Sequence, residues 1–255
     1  MKKEVQGSQA GYQTGAYMAA FLLRSVLACL IALMNLSCKK QVQEKPATVV
    51  APQTQVKAIN YLALGDSYTI GESVAASERF PLQLSSRLNA GKNYLVKETR
   101  IVARTGWTTQ DLTNELDRLD IKDTFTLVSL LIGVNNQYQG RDTGEYATQF
   151  TALLNRAVSL AGHDKRHVFV VSIPDYGYTP FGESDRERIS QQVDNFNAIN
   201  KRITDSFGIR YIDITPISRN TGEELTAGDG LHPSAKQYGL WVDKMEPLIK
   251  NLLVE

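Results

Sequence analysis

The chain has 255 residues, 42% of them hydrophobic and 22% charged, the composition of an ordinary globular protein of one large or two small domains. Lys and Arg number 28 against 27 Asp and Glu, so no overall field draws the chain to nucleic acid, and no nucleic-acid partner is expected. Both cysteines, Cys29 and Cys38, lie near the N-terminus, and His163, His167 and His232 lack zinc-ligand spacing, so neither a disulfide framework nor a metal is expected beyond them.

Residues 19–36 are apolar apart from Arg24, Ser25 and Asn35, and lead into Ser37-Cys38-Lys39-Lys40. The uninterrupted core, 26–34, is shorter than the about 20 residues of a membrane span and suits a signal-peptide apolar region of roughly 7–15. A small residue followed by cysteine at the end of such a region resembles the lipobox of bacterial lipoproteins. The resemblance implies a signal peptide over 1–37, lipidation of Cys38 and a membrane-anchored protein of the bacterial cell envelope. Val26-Leu27-Ala28-Cys29 fits the same pattern but falls inside the apolar run, and an uncleaved anchor is the alternative. Met18 offers a second start. Residues 38–57, a mixture of Gln, Pro, Thr, Val and Lys without a period, read as a flexible tether. Mass spectrometry of the membrane fraction is the check, and an unlipidated Cys38 would exclude the anchor.

From residue 58 onward apolar runs alternate with helical patterns. Strands are expected at 58–64, 95–103, 125–132, 167–173 and 209–214, three of them nearly all apolar, as in parallel strands covered on both faces. The second run carries Lys97, Glu98 and Arg100, which suggests an edge. Helices are expected at 79–89, 109–119, 144–161, 185–207 and 234–253. This order implies a three-layer α/β/α domain over 58–255 with a five-stranded parallel sheet and right-handed crossovers.

Four short blocks stand beyond the strands or before the last helix: Gly65-Asp66-Ser67, Arg104-Thr105-Gly106-Trp107, Ile132-Gly133-Val134-Asn135-Asn136 and Asp229-Gly230-Leu231-His232-Pro233. Ligands of open α/β sheets bind outside the carboxyl ends of the strands, where the first three blocks fall. A serine hydroxyl needs an imidazole to take its proton and a third group to fix the tautomer of that imidazole. Ser67, His232 and Asp229 can fill those roles. Gly106 permits close backbone approach, and Asn135 offers an uncharged N–H donor at any working pH. Asp66 and Ser67 are also ordinary turn and helix-cap residues, and Asp229 beside glycine is a routine loop choice.

With these four blocks in this order, the chain resembles the SGNH hydrolases, also called the GDSL esterase and lipase family. The resemblance implies a flavodoxin-like strand order of 2-1-3-4-5 and attack by Ser67 on an acyl carbonyl. It implies an oxyanion hole built from the Ser67 and Gly106 backbone N–H groups and the Asn135 amide. The third block of the family usually reads Gly-x-Asn-Asp; here Asn136 replaces the final Asp, and Tyr68 follows the serine where Leu is frequent.

The expected activity is therefore hydrolysis of small acyl esters through an acyl-enzyme, without a cofactor. Glycan acetates, lysophospholipids and thioesters are alternative substrates, and Asn136, Gln137 and Gln139 are polar enough to face a glycan. The long loop 173–184, with Tyr176, Tyr178 and Phe181, is expected to line an acyl or aryl pocket together with Tyr68, Tyr138 and Trp107, unless these rings only cover the sheet. Two rivals are a non-catalytic envelope binding protein and a cofactor binder whose 65–71 loop cradles a phosphate. The second gives Asp229 and His232 no role.

Overall fold

Nine consecutive residues, Lys57–Gly65, form the first strand, β1, and its burial shows why the apolar run is there: Ile59 and Tyr61 to Leu64 are wholly enclosed. The structure, a computed structural model, describes residues 56–220 and 222–254. The expected signal peptide, Cys38 and the expected tether up to residue 55 lie outside the described residues. Among those described, no helix is long and apolar enough to cross a membrane.

After β1 come α1 (Ser67–Ile70), α2 (Phe80–Ala90), β2 (Tyr94–Ala103), α3 (Thr109–Leu119), β3 (Leu127–Leu131), α4 (Val134–Tyr138) and α5 (Thr143–Leu160). The chain continues through β4 (Val168–Val171), α6 (Arg186–Phe207), β5 (Arg210–Ile212), α7 (Thr215–Ser218) and α8 (Ala235–Val254). The sheet has five parallel strands in the order β2-β1-β3-β4-β5, as the resemblance implied. The right-handed rule for parallel crossovers places α2 on one face and α3, α5 and α6 on the other, and α8, which follows the last strand, joins α2. The observed packing agrees: α2 rests on α8 and β2, and α5 rests on α3, α6 and β3.

Strand β2 is indeed an edge, with exposure alternating over residues 94–97 and a register shift opposite Ile59 and Asn60 that leaves Lys97 without a partner in the register. Strands β3, β4 and β5 are shorter than their apolar runs. Phe125, Ile132, Ile173 and Ile214 are buried beyond the ladder ends, so hydrophobicity there reports burial in the core and not strand pairing.

Local chemistry sets the helix ends. At α3 the Asp111 N–H donates to the Thr108 hydroxyl and the Thr108 N–H donates back to the Asp111 carboxylate, a capping box. Helix α6 stops at Gly208, whose φ of 68° is easy only for glycine. The register then positions the site, because Gly65 at the end of β1 pairs with Ala103 of β2 and Leu131 of β3. Three strands end level, and the three blocks that follow them must converge on one edge of the sheet.

Candidate active site

The serine block is a sharp strand-to-helix turn. Asp66 caps α1 by accepting the Tyr68 N–H at 3.1 Å, and Ser67 occupies the first helical position, 4% exposed. Only glycine fits before them: a Cβ on Gly65 would lie 2.4 Å from the Leu131 carbonyl oxygen and closer still to the Thr69 hydroxyl. Asp66 is fully buried, and its Oδ2 has no partner among the described residues. Burial raises its pKa to about 7, against the opposing pull of backbone N–H groups of Tyr68, Asp66 and Gly133.

Asn135 sits on α4, which starts after Gly133 at φ 130°, where a Cβ would press into the Tyr146 ring at 2.7 Å. Its Nδ2 donates to the Trp107 carbonyl at 2.9 Å, fixing the amide plane and leaving the second N–H uncommitted among the described residues. Gly106 adopts φ 85°, and a Cβ there would meet nothing within 4 Å, so backbone conformation and not space calls for glycine. Asn136 faces away from the cavity. Its Oδ1 accepts the Thr109 N–H at 3.0 Å and its Nδ2 donates to the Thr109 hydroxyl at 2.7 Å, so the amide ties α4 to the first turn of α3.

The last block is a tight loop closed by the Ala227 N–H on the His232 carbonyl at 2.7 Å. Asp229 uses both carboxylate oxygens. Oδ1 accepts the backbone N–H groups of Leu231 and His232 at 2.9 and 3.0 Å, and Oδ2 lies 2.6 Å from His232 Nδ1. Oδ2 also accepts the Ser73 hydroxyl at 2.6 Å. Partial burial works to raise the carboxyl pKa, but the hydrogen bonds from Ser73, His232 and the loop backbone outweigh it and hold the group well below the usual carboxylate range.

Ser67, Gly106, Asn135 and His232 line one cavity of about 190 Å³. All four positions implied by the resemblance are thus brought together, with Asp229 behind His232. Its apolar wall includes Tyr68, Tyr138, Tyr176 and Phe181, as expected of those rings, and also Val134 and Leu231. Trp107 and Tyr178 do not line it. Trp107 packs against the core and offers only its carbonyl, and Tyr178 lies under the Arg186 guanidinium at 4.8 Å. Gln137 is buried and donates to Gln192, and Gln139 accepts from Arg141, so the three polar residues expected to face a glycan are turned to other partners. Sequence reasoning does not single out Thr105, Val134, Leu231 or Ser73. Thr105, Val134 and Leu231 adjoin motif residues and adjacency could have found them, whereas Ser73 is 156 residues from Asp229. No group of three or more His, Cys, Asp or Glu among the described residues could hold a metal ion.

Residues 63–240, well over half of the chain, match the family model of GDSL-like lipases and acylhydrolases. The chain belongs to that family. It is a hydrolase acting on ester bonds. The fold of this GDSL hydrolase is also that of several solved structures of low identity. The psychrotrophic esterase EstA of Pseudoalteromonas sp., solved with monoethylphosphonate as inhibitor, is 20% identical over 77% of this chain and 100% of its own, with a TM-score of 0.59. TesA is 16% identical over 76% and 99% of the two chains, with a TM-score of 0.61. The acetyl xylan esterase AlAXEase is 15% identical over 75% and 100%, with a TM-score of 0.60. No curated protein matches the GDSL hydrolase in sequence.

Proposed function

We propose that the GDSL hydrolase cleaves small acyl esters with Ser67 as nucleophile, His232 as general base and acid, and Asp229 as the orienting carboxylate. The observation that carries this reading is the 2.6 Å contact of His232 Nδ1 with Asp229 Oδ2 beside a cavity that both His232 and Ser67 line. Asp229 accepts a proton-bearing Nδ1, which selects the tautomer whose Nε2 is free to take the Ser67 proton. Attack by Ser67 Oγ forms a tetrahedral oxyanion. The N–H groups of Ser67 and Gly106 and the second N–H of Asn135 are the donors for it, each worth about 2.7–4 kcal/mol of transition-state stabilisation where measured in comparable sites. His232 then protonates the leaving alcohol, and a water activated by the same imidazole releases the acid. Activity falls as the imidazole base is protonated on acidification.

The cavity volume and its enclosure by buried Tyr68 and Tyr176 favour a short acyl group. A second reading, an acetylated glycan, is favoured by Tyr138 and Phe181, which are 61% and 51% exposed with ring centroids 6.2 Å apart and form an aromatic surface against which a sugar ring can stack. The test is fluorophosphonate labelling mapped by mass spectrometry, with p-nitrophenyl esters from acetate to palmitate and acetylated oligosaccharides as substrates. Labelling at Ser67 with the highest kcat/KM on the shortest esters is expected. Labelling elsewhere would overturn the serine assignment, a preference for palmitate would overturn the short acyl group, and faster acetate release from the oligosaccharides would select the glycan.

A further inference from the structure

We propose that Ser73 is a positioning residue for the Asp229–His232 pair, which stands beside Ser67 at the cavity. The inference rests on the proposed roles of those three residues. Ser73 donates to Asp229 Oδ2, the same oxygen that meets His232 Nδ1, and both contacts measure 2.6 Å. Without it Oδ2 would be held only by the imidazole it is meant to orient.

The backbone at Ser73 has a φ of 65°, a left-handed conformation that costs a residue with a Cβ on the order of 1–2 kcal/mol. Ser73 is exposed, so core packing does not demand that conformation. The turn that produces it begins in the helix of the nucleophile: the N–H groups of Gly71 and Glu72 donate to the Ser67 carbonyl at 3.0 and 3.1 Å. From there adjacent side chains reach two other loops. Glu72 accepts the hydroxyl of Thr105, the neighbour of Gly106, and Ser73 reaches Asp229. Residues 71–73 are thus a strap leading from the serine helix to both the Gly106 loop and the Asp229–His232 loop.

A hydroxyl donating to Oδ2 does two things. It fixes that oxygen against rotation, and it withdraws charge from it, limiting how strongly the carboxylate favours the imidazolium. Ionisable groups around the pair and the strap include Glu72, Asp66, the Arg79 guanidinium beside Gly71, and the phenols of Tyr68 and Tyr238, which burial keeps protonated far above neutral pH. Tyr68 meets the His232 ring edge at 5.8 Å.

Ser73→Gly removes the hydroxyl while keeping a backbone that accepts this φ. In the full chain its kcat on p-nitrophenyl acetate is expected to fall about tenfold with KM nearly unchanged, the scale of one lost hydrogen bond to a charged group. The acidic limb of kcat/KM is expected to move to higher pH, because a carboxylate without its hydroxyl partner holds the imidazolium more tightly. The downfield NMR resonance of the His232 Nδ1 proton should shift in the variant, a readout independent of turnover. Wild-type kcat, pH profile and resonance in Ser73→Gly, with Ser67→Ala inactive, would overturn this inference and leave the proposed function standing. Turnover surviving in Ser67→Ala would instead overturn the proposed function, and the NMR shift would then decide the Ser73 contact by itself.

Discussion

Ser67→Ala is expected to lower kcat on a short p-nitrophenyl ester by about a millionfold, the scale found when the nucleophile of a serine–histidine–aspartate unit is removed. His232→Ala should cost about as much, and the double variant little more, because neither group does its work without the other. The geometry explains that non-additivity. Ser67 is nearly buried at the start of α1, and the histidine proposed to activate it is held by its own loop through Asp229 Oδ1 and Oδ2. Residual turnover over water in these variants would come from Asn135 and the backbone donors, so adding Asn135→Ala should remove a further factor of about 10²–10³. Steady-state kinetics on purified variants, with circular dichroism to verify folding, make the measurement. A Ser67→Ala rate within tenfold of wild type would end the serine mechanism.

Asp66→Asn is expected to change the pH dependence of stability by about 4 kcal/mol, from a folded-state pKa of about 7 against about 3.9 for an unfolded aspartate. Because the folded value is the higher one, the native state holds more protons than the unfolded state between those pH values. Wild-type stability from this group is therefore greatest below about pH 4, declines as pH rises, and stays low above about 7. An asparagine mimics the protonated acid, with an N–H where the carboxyl would carry its proton, and cannot be charged. Urea melts at about pH 4 and about pH 8 should show the gap between variant and wild type moving in favour of the variant by that amount. A gap independent of pH would show that folding does not make the Asp66 carboxyl harder to ionise.

The predicted helix at 109–119 coincides with α3, because Thr108 and Asp111 announce its start and Leu112 and Leu116 mark its buried face. Strand ends were less legible, since Ile173 and Ile214 are as hydrophobic as strand residues and just as buried, yet lie past the ladder. The short helices α1 and α4 carry Ser67 and Asn135, and neither is among the helices expected from the sequence. Four or five residues are too few to show a period, and their shape comes from Asp66 and from Gly133 at φ 130°.

By itself the sequence determined the alternation of strands and helices, the edge character of β2, the four blocks and their order, and hence the family. Those are properties of local composition and spacing along one chain. Only the tertiary structure decided which neighbours of the blocks matter: that Asn136 serves Thr109 and not the cavity, that Trp107 contributes a carbonyl in place of a ring, and that Ser73 meets Asp229. Side chains of a given type carry no record of direction, and direction here follows from the level ends of β1, β2 and β3 and the backbone twists that follow them.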